Sequence, residues 1–488
     1  MKRKRTNKRQ GAGFGVLESL KREEFKLDEW ACERDTDLIP DIHSTDLPPP
    51  TLDPLEISRL WLLTCDKTHR PCHKPIDTWP TRVIFIGDHD KEKLQLRELD
   101  APVEYIALSH CWGQETPERQ KYLTTNSNYN QRKDAFRYNE LPSVFQDAIT
   151  GNTNDWNTEG KKMEDIFALA YCTIAASSAS NWETSFLGRL PNNIPTHAVS
   201  PGSHPEHDFF QDVDESNLNT RAWVLQERIL SRRTLFFTSR GVYWECGEGV
   251  RCNNLTKLNC PISRSYFMDP NFPKRLYTSG VTRTIQFIQE LIEDYTKRGL
   301  TIPTDRAVAF SGLAERISKA LATKQKYGVF EIIMHRLLLW KIPGSNGEPI
   351  AYENNKPQSW SWMAWHGRVE FITTSPLRVP KYLRFSKDYL NVEVRTFENC
   401  EKRQVTGHYT IIAGQAEVGS LFFDTNKTPL RYCVVIGMDF NDAREDPYKQ
   451  YYVLVVDETG EIGYYQRMGV GVIEAHCISK EKRDGKLV

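Results

Sequence analysis

The run from Tyr105 to Gly113, Tyr-Ile-Ala-Leu-Ser-His-Cys-Trp-Gly, constrains the fold of this chain more than any other stretch. Tyr105 to Leu108 are apolar at successive positions. A strand of that pattern is covered on both faces, as a central strand of an α/β sheet is. Ligands of open α/β sheets bind beyond the carboxyl ends of the strands, so Ser109, His110 and Trp112 are candidate binding residues, with packing at a buried strand end as the default. Adjacent strand residues point to opposite faces, which keeps His110 from activating Cys111 as a base–nucleophile pair.

The rest of the 488-residue chain allows two to four domains. Lysine plus arginine balance aspartate plus glutamate at 64 each, so no whole-chain field draws nucleic acid or an anionic membrane, and neither partner is expected. Eleven cysteines without a secretory leader point to reduced thiols in the cytoplasm. The longest weakly polar run, Ile166 to Ala179, is too short to span a bilayer. Lys2, Arg3, Lys4, Arg5, Lys8 and Arg9 form a basic arm that also fits a nuclear address.

Residues 1–54 read as a basic, proline-punctuated, disordered lead and 55–104 as lead-in strands, Arg82 to Ile86 among them. Within the latter, Cys65, His69, Cys72 and His73 are four soft donors, yet their spacing lacks the paired arms of a zinc module, and no metal site is expected. Leu141 to Ile149 reads as a short helix behind Pro142. A second helix begins near Asp155, with Met163, Ile166, Phe167, Ala170 and Ile174 on its buried stripe and Glu159 at the head of that stripe. Thr173 to Ala179 either closes this helix or begins a strand. Arg221 to Leu230 is helical with apolar groups around most of its circumference, so Glu227 is buried on the Trp223 side. A buried carboxylate pairs, accepts hydrogen bonds or keeps its proton, and Arg221, Arg228, Arg232 and Arg233 make an ion pair the default. Leu235 to Phe237 and Gly241 to Cys246 form a hairpin. A helical region over 246–345 and a β-rich region over 346–488 follow.

These motifs together resemble the fungal heterokaryon incompatibility, or HET, domain family. The resemblance rests on Tyr105 to Gly113, Leu141 to Ile149, Asp155-Trp156-x2-Glu159-x3-Met163-x2-Ile166-Phe167-x2-Ala170 running on to Thr173-Ile174-Ala175-Ala176, and Arg221-Ala222-Trp223-x-Leu225-Gln226-Glu227. Flanking segments Asp305 to Ala314, Ser359-Trp360-Ser361-Trp362 and Arg467 to Gly471 are similar to those that accompany the domain. The resemblance implies an α/β HET domain over 105–245, related to TIR domains, and a role in fungal self/non-self recognition that ends in growth arrest or programmed cell death. It implies an incompatibility partner protein and a homo-oligomer. By the TIR likeness it also implies NAD as a substrate, with Glu227 catalytic and Glu159 assisting, and Ser109, His110, Trp112 and Trp223 as binding residues; no other cofactor is implied. One departure stands out: the family strand between the two helices is missing, because Ile149 is joined to Asp155 by Thr-Gly-Asn-Thr-Asn. The copy is then either degenerate, built on a sheet that closes differently, or translated from a transcript that skips the strand.

Overall fold

The computed structural model describes residues 32–34, 54–73, 78–86, 93–113, 116–147, 165–189, 209–252, 256–258, 266–278 and 280–488, with short gaps at 345–346, 354–355, 374–376, 380–382, 387–388, 426–428, 441, 443 and 445–447. The chain divides into two compact units between Arg275 and Leu276.

The first unit is built on a seven-stranded mixed sheet. In chain order its elements are strand β1 (Cys32–Arg34), helix α1 (Pro54–Thr68), strands β2 (Arg82–Phe85), β3 (Lys93–Glu98), β4 (Ile106–Ser109) and β5 (Phe136–Arg137), helix α2 (Ser143–Asp147), strand β6 (Cys172–Ala175), helix α3 (Ala222–Leu230), and strands β7 (Arg233–Phe237), β8 (Val242–Cys246), β9 (Gly249–Cys252) and β10 (Thr256–Leu258). The sheet order is β1-β10-β9-β8-β7-β6-β4, and β2, β3 and β5 form a separate three-stranded sheet. Strands β4, β6 and β7 are mutually parallel; the pairs from β7 outward are antiparallel.

Strand alternation sorts the side chains into two cores. Leu235, Phe237, Val242, Trp244 and Cys246 enter one cluster with Ile57, Trp61 and Cys65 of α1 and Phe145 of α2. Phe236, Tyr243 and Ala175 enter the other with Val224 of α3 and Val250 of β9. Helices thus cover both faces, which is the α/β layering expected. The β7–β8 hairpin, α2 and α3 form where the pattern placed them, and Thr173 belongs to a strand.

Three expectations are corrected. Strand β4 is not central: among the described residues it ends the sheet order, and Ile106 is 54% exposed. Ala107 and Ser109 of its run are buried, and among the described residues no strand pairs with its outer edge. Residues 55–104 are not strands alone, since they open with α1. That helix buries Ile57, Trp61 and Cys65 at four-residue spacing. The first sheet also does not stop at 245, because β9 and β10 extend it and Cys32–Arg34 of the lead pairs with Thr256–Leu258. The basic arm, the Ile149–Asp155 junction, Met163 and Glu159 lie outside the described residues. Among the described residues no helix is long and apolar enough to cross a membrane.

The second unit combines helices α4 (Val281–Lys297) and α5 (Arg306–Ala320) with a ten-stranded sheet. The sheet is antiparallel except where Tyr464–Glu474 runs parallel to Arg483–Leu487. Its flanking motifs meet in one core. Arg467, fully buried, pairs with Asp424 at 3.0 Å, donates to the carbonyls of Leu338 and Trp340, and lies 3.3 Å from the centroid of the Trp340 ring. Trp340 Nε1 in turn donates to the Trp360 carbonyl at 3.0 Å. Gly469 and Gly471 follow because a Cβ at either would collide with the carbonyl oxygens of Phe422 and Ser420 on the adjoining strand.

Candidate functional site

Ser109 closes β4, and its hydroxyl donates to Glu227 Oε2 at 2.5 Å. Two local features bring these groups together. Helix α3 begins at Arg221, whose backbone is still extended, and its apolar circumference buries all of Ala222 to Leu230 except Glu227. After the helix, Ser231 donates to the Glu227 carbonyl and lies 2.6 Å from the Thr173 hydroxyl, so the C-terminal turn of α3 is fastened over β6.

The electrostatics of Glu227 differ from the ion pair expected. Arg228 is taken by Glu245 and Asp214, Arg233 by Asp66, and Arg232 donates to the carbonyls of Cys72 and Ala170. Arg221 donates to the His110 carbonyl at 2.9 Å. Among the described residues Glu227 is therefore left with a serine hydroxyl as its side-chain hydrogen-bond partner. Burial pushes its carboxyl pKa above the ordinary range, and the Ser109 hydrogen bond and the Arg221 charge pull it partly back. The residue as a whole stays partly exposed. A carboxylate that is desolvated, reachable and without a salt bridge among the described residues interacts strongly with positive charge developing next to it.

The sheet separates His110 and Trp112 from this pair. Cys111 belongs to the core on the α3 side, and burial raises its thiol pKa. His110 packs on the opposite face, its ring 4.6 Å from Trp112 and 4.9 Å from Phe145. Strand alternation therefore sets Ser109 and Cys111 apart from His110 and Trp112, and the expected divergence of His110 from Cys111 holds. Gly113 ends the run at φ +69°, and a Cβ there would sit 2.7 Å from Cβ of Asn181, so the turn after Trp112 needs glycine. Trp223 is buried one turn before Glu227. The structure thus brings together Ser109, Arg221 and Glu227; Arg221 is the member the sequence reading missed as a site residue, because its contact is with a backbone carbonyl 111 residues away.

A second group of donors gathers on the α1 side. Cys65, His69 and Cys72 converge there, while His73 turns away, its Nε2 3.0 Å from the carbonyl oxygen of Asp66. The fourth member is Cys246, from the end of β8.

No curated protein and no solved structure matches the chain. Residues 105–227, which run from the strand bearing Ser109 to Glu227 itself, match the family model described as Heterokaryon incompatibility protein (HET).

Proposed function

We propose that this protein acts in heterokaryon incompatibility, promoting growth arrest or death of fused fungal cells through assembly and contacts with a partner protein. The HET match over 105–227 carries this reading. The Ser109–Glu227 pair, which joins the two ends of that match and of which Glu227 is partly exposed, is the element through which the domain acts. The cytoplasm is the proposed site of action, with the basic arm from Lys2 to Arg9 as a nuclear address. Overexpression in a filamentous fungus tests the reading. Arrest on induction is the expected result, and normal growth with the protein abundant and protease-resistant would show a degenerate copy.

One observation favours a second, enzymatic reading: among the described residues Glu227 has no ion pair, and its raised pKa reflects a carboxylate poorly solvated by water. In this reading the glycosidic C–N bond of NAD breaks, nicotinamide leaves with the bonding pair, Glu227 stabilises the ribosyl cation, and water adds with loss of a proton. The Trp223-x3-Glu227 spacing, similar to that around the TIR catalytic glutamate, supports it; Glu159 as helper rests on the resemblance alone. Purified protein, alone and forced to oligomerise, should release nicotinamide from NAD, and absence of release in both states removes the enzymatic reading.

A further inference from the structure

We propose that Cys65, His69, Cys72 and Cys246 bind one zinc ion in a closed, structural Cys3His site. Their ligand atoms all lie within 4.8 Å of one another, and Cys246 Sγ is 3.5 Å from His69 Nδ1. In a tetrahedral zinc site with Zn–S of about 2.3 Å and Zn–N of about 2.0–2.1 Å, neighbouring ligand atoms stand about 3.6–3.8 Å apart. The observed spacing therefore leaves room for an ion at the centre with small inward movements.

The four donors come from unlike elements. Cys65 ends the buried face of α1, His69 follows the helix, Cys72 closes the short turn Arg70–Cys72, and Cys246 ends β8, 177 residues beyond His69. Simple core packing accounts for buried thiols, and all three cysteines are at most 2% exposed. Packing does not account for an imidazole nitrogen turned toward one of those sulfurs. Beside the quartet, Arg233 pairs at 2.7 Å with Asp66, the residue after Cys65. Three thiolates and a neutral imidazole around Zn2+ carry one net negative charge. Gly247 also has to be small, since a Cβ there would meet Pro270 Cγ at 2.8 Å and the Cys72 sulfur at 3.5 Å.

All four positions are filled by protein, which leaves no place for water or substrate, so the ion is structural and not catalytic. Its effect is to fasten α1 and the turn after it to the end of the β8–β9 hairpin. Contacts of such sequence separation close late in folding, and a metal that binds only the assembled site stabilises it by mass action.

Metal analysis of the full-length protein, purified without chelator, tests this directly. About one zinc per chain is expected, with X-ray absorption showing three sulfurs and one nitrogen around it. Cobalt added to chelator-treated protein should give the absorption of a tetrahedral thiolate site. Cys246→Ser should lose the metal; His73→Ala should keep it, which separates this quartet from the contiguous Cys65, His69, Cys72, His73 set. Because Cys246→Ser could unfold the unit, His69→Cys provides a second variant that must still bind zinc, now through four sulfurs. A folded, metal-free protein that binds neither zinc nor cobalt, or a site lost in His73→Ala and retained in Cys246→Ser, overturns the proposal.

Discussion

Replacing Arg228 by alanine should unfold the first unit more readily than any surface charge change. The guanidinium donates to Glu245 at 2.8 and 2.7 Å and to Asp214 at 2.6 Å, and the side chains of Arg228 and Glu245 are each 3% exposed. Its carbon end lies against aromatic rings, with Cζ 4.1 Å from the Phe267 centroid and 5.1 Å from that of Phe236. Removing one member of a buried ionic group costs about 3–5 kcal/mol, chiefly because the carboxylates are left desolvated without a cation. For a unit with about 5–15 kcal/mol of stability that is a large share, and at roughly 2–4 °C per kcal/mol it lowers Tm by about 6–20 °C. The loss should depend on pH in a definite sense. Burial already raises the Glu245 pKa, and the Arg228 charge is what opposes that rise. Without Arg228 the folded-state pKa climbs further, so the variant's deficit is small in acid, where Glu245 holds its proton, and grows as pH rises through the folded value. Thermal unfolding across pH, with hydrogen exchange at Leu235 to Phe237 to assign the transition to this unit, reads both effects. A deficit below about 1 kcal/mol at neutral pH, the range of an exposed pair, or one that does not change with pH, would refute the reasoning.

Three further outcomes are expected. Trp223→Ala should cost about 3–5 kcal/mol, so abundance and growth arrest should fall together; an abundant, protease-resistant variant without arrest would contradict this. Glu227→Gln should be at least as stable as the parent at neutral pH, because a raised folded pKa makes the parent lose stability as pH rises through it, and the difference should vanish in acid, which thermal melts against pH will show. The transcript should encode an apolar strand between Ile149 and Asp155, since among the described residues no strand pairs with the outer edge of β4 and Ile106 is exposed; a messenger that matches this chain with no such coding sequence, together with cooperative unfolding at an ordinary temperature, would show that the strand is dispensable.

Local pattern made some of this architecture legible. The spacing in Arg221 to Leu230 is compatible with a helix and Leu235 to Phe237 is a short, β-prone apolar run, and both are fixed by neighbours in sequence. What stayed hidden depends on distant partners. Nothing near β4 says which strands flank it, so a run covered on both faces looked central. Arg228 and Arg233 sit beside Glu227 in sequence yet point to Glu245 and Asp66. Cys246 gives no local sign that it meets Cys65, His69 and Cys72, and His73, adjacent to Cys72, was the misleading neighbour. The α1 helix was obscured by its mixed composition: Ile57, Trp61 and Cys65 mark only a narrow buried stripe.

The proposed action of residues 105–227 through the Ser109–Glu227 pair is measured most directly by growth of a filamentous fungus expressing Glu227→Gln or the parent chain at matched abundance. The account predicts arrest with the parent and growth with the variant, although the variant folds and resists protease as well as the parent does. Arrest of equal strength with both would contradict it.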